Sequence, residues 1–168
     1  MTAHDLIMGL VVVQRLLELA LSGRNAKRLM ARGGVEAGAG HYPLIVGLHA
    51  SWLAALAFAV PREVPVQVPL LVLYLALQGL RYWIMATLGE YWTTRVITVP
   101  GAALVAGGPY RVARHPNYMV VAAELALLPM VFGAWQIAVL FTIANAGVMV
   151  LRIRAENAAL AGRRGRAP

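Results

Sequence analysis

Five long apolar runs alternate with polar segments along the chain, at about residues 5–22, 43–60, 66–88, 117–132 and 135–151. Apolar runs of about 17–25 residues are long enough to cross a bilayer as helices. The pattern therefore predicts an all-α, integral membrane helical bundle of about five transmembrane helices. The last two runs are short, and only residues 132–135 separate them. That spacing predicts a tight turn and a helical hairpin tilted in the membrane. No internal repeat is evident, and residues 1–168 read as a single domain. Asp5 lies where a signal peptide would carry a basic region, and no cleavage pattern follows the first run.

Composition sharpens this reading. Of 168 residues 60% are hydrophobic and 13% charged, and the mean hydropathy is +0.68. A soluble domain of this size would be about half apolar. The net charge is +8, but its cations flank the apolar runs. Residues 23–42 carry four Lys or Arg, residues 89–116 carry three, and the tail from Arg152 carries five, against one in residues 61–65. Placing the three richer segments in the cytoplasm puts the N-terminus outside and the C-terminus inside, in accord with the positive-inside bias. Lipid headgroups, rather than nucleic acid, are then the partner of the basic residues, since no basic stripe lies on a soluble domain. The chain has no cysteine, which excludes disulfides and thiolate chemistry. The four histidines and the carboxylates have no metal-ligand spacing, although His41 and His49 are eight apart and could share a helix face.

Ionisable and amide side chains inside spans are costly and usually face a protein interior. In the first span Gln14, Glu18 and Ser22 recur every four residues, with Arg15 one turn from Glu18. That pair can satisfy itself as helix-packing glue. Gln78, Arg81, Tyr82 and Met85 read as one side of the third span, and Asn117 and Glu124 align in the fourth. Thr142, Asn145, Met149, Arg152 and Glu156 form one stripe along the fifth, which points to function. Glu124 is open to either reading.

The most polar interfacial segment is "GGPYRVARHPNYMVV", residues 107–121. Gly107 and Gly108 permit tight backbone, and Pro116 pushes His115 out of helical geometry and can start a helix at its first position. A helix start of this kind offers free N–H groups to an anion. An ordinary interfacial loop with a proline helix start reads equally well from physics alone.

"GPYRVARHPNY", an apolar hairpin and then "RIRAENAAL" resemble the isoprenylcysteine carboxyl methyltransferase family of integral membrane methyltransferases. Residues 24–49 and 81–111 further resemble its bacterial branch, whose members often accompany type III polyketide synthases. The resemblance covers most of the chain, with the catalytic region at about 81–160. It implies S-adenosylmethionine as cofactor, S-adenosylhomocysteine as product, and a site on the cytoplasmic side between the last helices. Tyr110, Arg114, His115, Pro116 and Tyr118 would build the cofactor wall. Glu156 and Asn157 match the acidic positions after the last helix, and Leu160 the apolar residue that follows them. Many family members continue into a glycine and paired tyrosines that close over the cofactor; this chain has "AGRRGRAP" there instead, which reads as flexible and implies either a shorter lid or a more open site.

Methyl transfer is an in-line displacement that needs a positioned nucleophile and no metal. The acceptor would be an amphiphile with a bilayer tail and a polar head, such as a long-chain phenol or pyrone or an isoprenylcysteine-like carboxylate. Arg81, Arg152 and Glu156 are the catalytic candidates, because arginine stays charged and grips oxyanions bidentately. Trp83, Trp92, Glu124 and Asn145 are the substrate-binding candidates, with Tyr91 beside the tryptophans at a tail entrance. Glu90 or Glu124 would serve if a base is needed. Phospholipid N-methylation and a sterol-reductase-like activity with NADPH share the RHPNY core. Inward arginines suit the first poorly, and the short chain suits the second poorly.

Overall fold

The computed structural model of the chain describes residues 1–164. Five α-helices make the bundle: α1 (Ala3–Ala31), α2 (Tyr42–Ala59), α3 (Val68–Leu88), α4 (Pro116–Val131) and α5 (Trp135–Arg164). Four of them are long and apolar enough to cross a membrane. At 16 residues, α4 is about 24 Å long, short of a bilayer core, and it pairs with α5. The expected turn is there: Gly133 has φ of 70°, the N–H of Gly133 bonds the Met130 carbonyl, and that of Ala134 bonds the Pro129 carbonyl. A side chain at residue 133 would strain this left-handed conformation.

Helix ends follow local chemistry. Thr2 and Asp5 form a reciprocal capping box at the start of α1, with Oγ1 accepting from the Asp5 N–H at 3.2 Å and Oδ2 accepting from the Thr2 N–H at 3.0 Å. Proline stands in the first turns of α2, α3 and α4, where its missing N–H costs nothing. Two helices outrun their apolar spans: α1 continues through the basic residues to Ala31, and α5 continues to Arg164. Of the tail read as flexible, residues 161–164 are therefore helical, and residues 165–168 lie outside the described residues.

All five helices bring one set of ends together. Residues between α1 and α2 form strand β1 (Val35–Ala37), and residues after α3 form strand β2 (Val96–Thr98). The two pair antiparallel, with Glu36 opposite Ile97, and α5 packs against both. Apolar periodicity predicts no such sheet, because each strand has only three residues. The sheet ties the two cation-bearing loops to the C-terminal part of α5. At the opposite end Met8, Trp52, Leu56, Tyr74, Leu125, Leu128 and Phe132 form the apolar core. Outward-facing Leu10, Phe58, Leu73 and Ile143 suit a lipid surround.

A buried ion cluster ties α1, α3 and α4 between these ends. Arg81 grips Glu18 with two bonds, Nε to Oε1 at 2.7 Å and Nη2 to Oε2 at 2.5 Å. Its Nη1 donates to Glu124 Oε2 at 2.9 Å. Arg15 bridges the same acids, at 2.8 Å to Glu18 and 3.0 Å to Glu124. Gln14 donates to Glu18 and to Gln78, and Gln78 donates to Glu124. The expected Arg15–Glu18 pair is thus half of a two-cation, two-anion set. Its formal charge is zero, which is what an apolar surround demands.

Removing one partner from a buried ion pair costs about 3–5 kcal/mol. Arg81→Met should therefore lower the unfolding stability of detergent-purified protein by about that amount. Arg114→Met, at an exposed cation with no carboxylate partner among the described residues, should shift it by less than about 0.5 kcal/mol. Equal shifts in thermal or denaturant midpoints would show that the cluster does not organise the bundle.

Candidate active site

Residues 107–118 fold from chain geometry outward. Gly108 has φ of 52°, and a Cβ there would sit 2.6 Å from Thr87 Oγ1. Glycine alone lets this turn lie against α3. Pro109 is buried, and Pro116 opens α4 with His115 as its cap residue at φ −134° and ψ 57°. The helix start is less open than the sequence suggests: the N–H groups of Tyr118 and Met119 both turn to the His115 carbonyl.

This segment meets the stripe of α5. Asn145, Met149 and Arg152 are buried, and Thr142 and Glu156 are half-buried. Tyr118 donates its hydroxyl hydrogen to Glu156 Oε2 in a short hydrogen bond and accepts from Arg152 Nε at 2.9 Å. The Arg152 guanidinium lies over the Tyr118 ring at 5.1 Å. His115 stacks on the same Tyr118 ring, with ring centroids 5.4 Å apart, and its Nδ1 is 3.5 Å from Glu156 Oε1. Burial, reinforced by the charge of Glu156, holds the Tyr110 hydroxyl above its ordinary titration range, so it stays protonated.

Two cavities flank this network. The first, of about 420 Å³, is lined by Tyr110, Arg114, His115 and Glu156 together with apolar Val99, Leu104 and Leu160. The second, of about 290 Å³, is lined mainly by apolar side chains of α1 and α2, among them Leu16, Leu19, Val46 and Leu53. They share Thr93, Asn117, Tyr118 and Arg152. A molecule in one would therefore meet a molecule in the other beside Arg152.

The expected site residues separate into two groups. Tyr110, Arg114, His115, Tyr118, Arg152 and Glu156 converge on the first cavity, and Trp92 lines the second. Pro116 is buried as the first residue of α4, and Asn157 is half-buried on α5. Arg81 touches the second cavity but has all three nitrogens bound to Glu18 and Glu124. Glu124 is held inside the ion cluster and lines neither cavity. Asn145 also lines neither, and its amide atoms have no partner among the described residues. Trp83 is 56% exposed on the outward face of α3, beside Tyr82 at 52%. The inward face of that helix is instead Tyr74, Gln78, Arg81 and Ile84. Glu90 pairs with Arg32 at 2.5 Å on the surface, and Tyr91 lines the first cavity rather than the apolar one. The strand β2, which contributes Val96, Ile97 and Thr98 to the first cavity, carried no signal in the sequence.

Tyr118→Phe should cost about 1–3 kcal/mol, because it deprives two charged groups of one shared hydrogen-bond partner. Combined with Glu156→Gln, the loss should be less than additive. Strict additivity in denaturant unfolding would mean that the Tyr118–Glu156 bond carries no coupling.

The model of the isoprenylcysteine carboxyl methyltransferase (ICMT) family matches residues 70–162, the stretch that holds α3, the RHPNY segment and α5. The chain is also 36% identical over 159 residues to the uncharacterized protein YpbQ of Bacillus subtilis, which covers 92% of this chain and 95% of that protein. No solved structure matches the chain significantly.

Proposed function

The chain belongs to the isoprenylcysteine carboxyl methyltransferase family, and we propose that it O-methylates a lipophilic acceptor that reaches the site from the bilayer. The observation that carries this reading is the meeting of a cavity that carries Arg114, His115 and Glu156 with a more apolar cavity, at Thr93, Asn117, Tyr118 and Arg152. One suits a water-soluble cofactor, the other a hydrocarbon tail.

The first cavity fits S-adenosylmethionine, which the family uses. Its volume of about 420 Å³ lies within the usual range for small-molecule sites, about 300–1,000 Å³. Arg114 offers a cation for a carboxylate, Glu156 an anion for an ammonium group or ribose hydroxyls, and Tyr110 an aromatic face for a base or a cation. When bound, S-adenosylmethionine supplies an electrophilic methyl group on a sulfonium. His115 and Tyr118 brace Glu156 from two sides. Among the described residues Arg152 spends only Nε, on Tyr118, so both Nη groups remain to orient an acceptor oxygen. Charge development at that oxygen is best met by such fixed donors in a dry site. Arg152 takes this role in preference to Arg81, whose donors are committed. A phospholipid amine would gain nothing from these cations.

The acceptor in this reading is an oxygen head on a long tail, a polyketide phenol or pyrone in preference to an isoprenylcysteine carboxylate. The cation-rich ends of the bundle carry the cofactor cavity, and the positive-inside bias puts them in the cytoplasm.

Calorimetry on detergent-purified protein tests the reading. S-adenosylmethionine and S-adenosylhomocysteine should bind, and Arg114→Ala or His115→Ala should weaken both by about tenfold or more, as loss of a charged hydrogen bond costs about 1.5–3 kcal/mol. NADPH is the control. A folded protein that binds neither adenosyl compound, or binds NADPH in their place, would sink the proposal.

A further inference from the structure

Among the described residues, the second cavity contains one uncommitted base. His49 lies on the inward face of α2 with Ile45 and Trp52, all three lining that cavity. Its Nδ1 is 2.8 Å from the Ile45 carbonyl oxygen. A carbonyl can only accept, so Nδ1 carries the hydrogen and the lone pair of the neutral ring sits on Nε2. Nε2 has no hydrogen-bond partner among the described residues.

The other titratable groups of that cavity cannot take a proton. Arg15, Arg81 and Arg152 are permanent donors. Glu18 accepts at both oxygens, from Gln14 and Arg81 at Oε1 and from Arg15 and Arg81 at Oε2. The Tyr118 hydroxyl is committed to Glu156, and that of Tyr42 is 3.1 Å from Thr94 Oγ1. Thr93 donates its hydroxyl hydrogen to the Arg95 carbonyl. On α5, Met149 and Arg152 face the cavity across from His49, and α2 packs on α5.

We infer that His49 Nε2 takes the proton of an acceptor hydroxyl, so that the acceptor is a long-chain phenol or enol and not a carboxylate; this rests on the methyltransferase reading above. A carboxylate is already ionised at neutral pH and needs no base, whereas a phenol has a pKa near 10. The step balances. The acceptor oxygen bonds the methyl carbon, the carbon–sulfur bond breaks with its electron pair going to sulfur, and the hydroxyl proton goes to Nε2. One positive charge leaves the sulfonium and one appears on the imidazolium, which returns its proton to water. The net charge at the membrane edge does not change.

His49→Asn keeps an amide N–H where Nδ1–H stood and removes the base; His49→Phe removes both. Wild type should bind a long-chain phenol more tightly than its methyl ether, read by tryptophan fluorescence, and both variants should lose that preference. In turnover with labelled S-adenosylmethionine, His49→Asn should slow methylation of the phenol about a hundredfold or more, the usual worth of a general base. A nitro-substituted phenol of the same tail, ionised at the assay pH, should lose less than about threefold. S-adenosylhomocysteine affinity should stay unchanged in both variants. Equal losses on the two phenols, no loss on either, no phenol–ether preference in wild type, or transfer only to a long-chain carboxylate would overturn the inference and leave the methyltransferase reading standing. Absence of S-adenosylhomocysteine binding to wild type would overturn both.

Discussion

Four formal charges inside a membrane bundle dictate much of this structure. Arg15, Glu18, Arg81 and Glu124 form a closed set whose net charge is zero and whose carboxylate oxygens all accept hydrogen bonds. A single unpaired member would be expensive in hydrocarbon. The three helices that supply these residues must therefore keep one relative position, or expose a charge. Ion sets of this kind are weak contributors to net stability but strong constraints on geometry, since breaking one costs more than forming it gains. Here the constraint fixes α4 against α1 and α3, and the start of α4 is the RHPNY segment.

That constraint explains the division of labour between the two inward arginines. Both sit on polar stripes and both border the apolar cavity. Arg81 has every nitrogen engaged by carboxylates, so its charge is cancelled locally and its donors are spent. Among the described residues Arg152 touches no carboxylate directly: it gives Nε to a tyrosine hydroxyl, which in turn gives its hydrogen to Glu156. The tyrosine relays the anion's influence without quenching the guanidinium, and leaves two donor groups toward the cavities. Side-chain type could not distinguish the two arginines; the partner lists do.

Much of the fold was legible because membrane physics leaves few options. Apolar runs at helix length give the bundle, residues 132–135 give the hairpin, and Pro116 gives the start of α4. The stripe from Thr142 to Glu156 was legible too, because one helix carries all of it at helical spacing. What escaped was whatever required two elements at once. Arg15–Glu18 is a visible pair within α1, but Arg81 and Glu124 join it from 63 and 109 residues away in sequence. No local spacing reports such a meeting. The short strands of the β-ladder escaped for the same reason, since three residues carry no period. The outward turn of Tyr82 and Trp83 shows the converse error: the inward face runs through Tyr74, Gln78, Arg81 and Ile84, and at about 100° per residue that leaves Tyr82 roughly a quarter-turn off it and Trp83 nearly opposite.

His49 shows how the same limits hide chemistry. In the sequence it is a lone histidine on an apolar helix, eight residues from another and far from any acid. Its surroundings become informative only when five helices enclose it. The neighbours that could serve as bases are all consumed by the ion cluster or the Tyr118 network, and the Ile45 carbonyl fixes which ring nitrogen is left. The neutral cluster and the candidate base are thus two sides of one arrangement. Carboxylates that hold the bundle together are unavailable for proton transfer, so in the reaction we propose the task falls to a group that is neutral at rest and carries charge only during turnover. A histidine is the side chain that can do this in an apolar cavity at neutral pH.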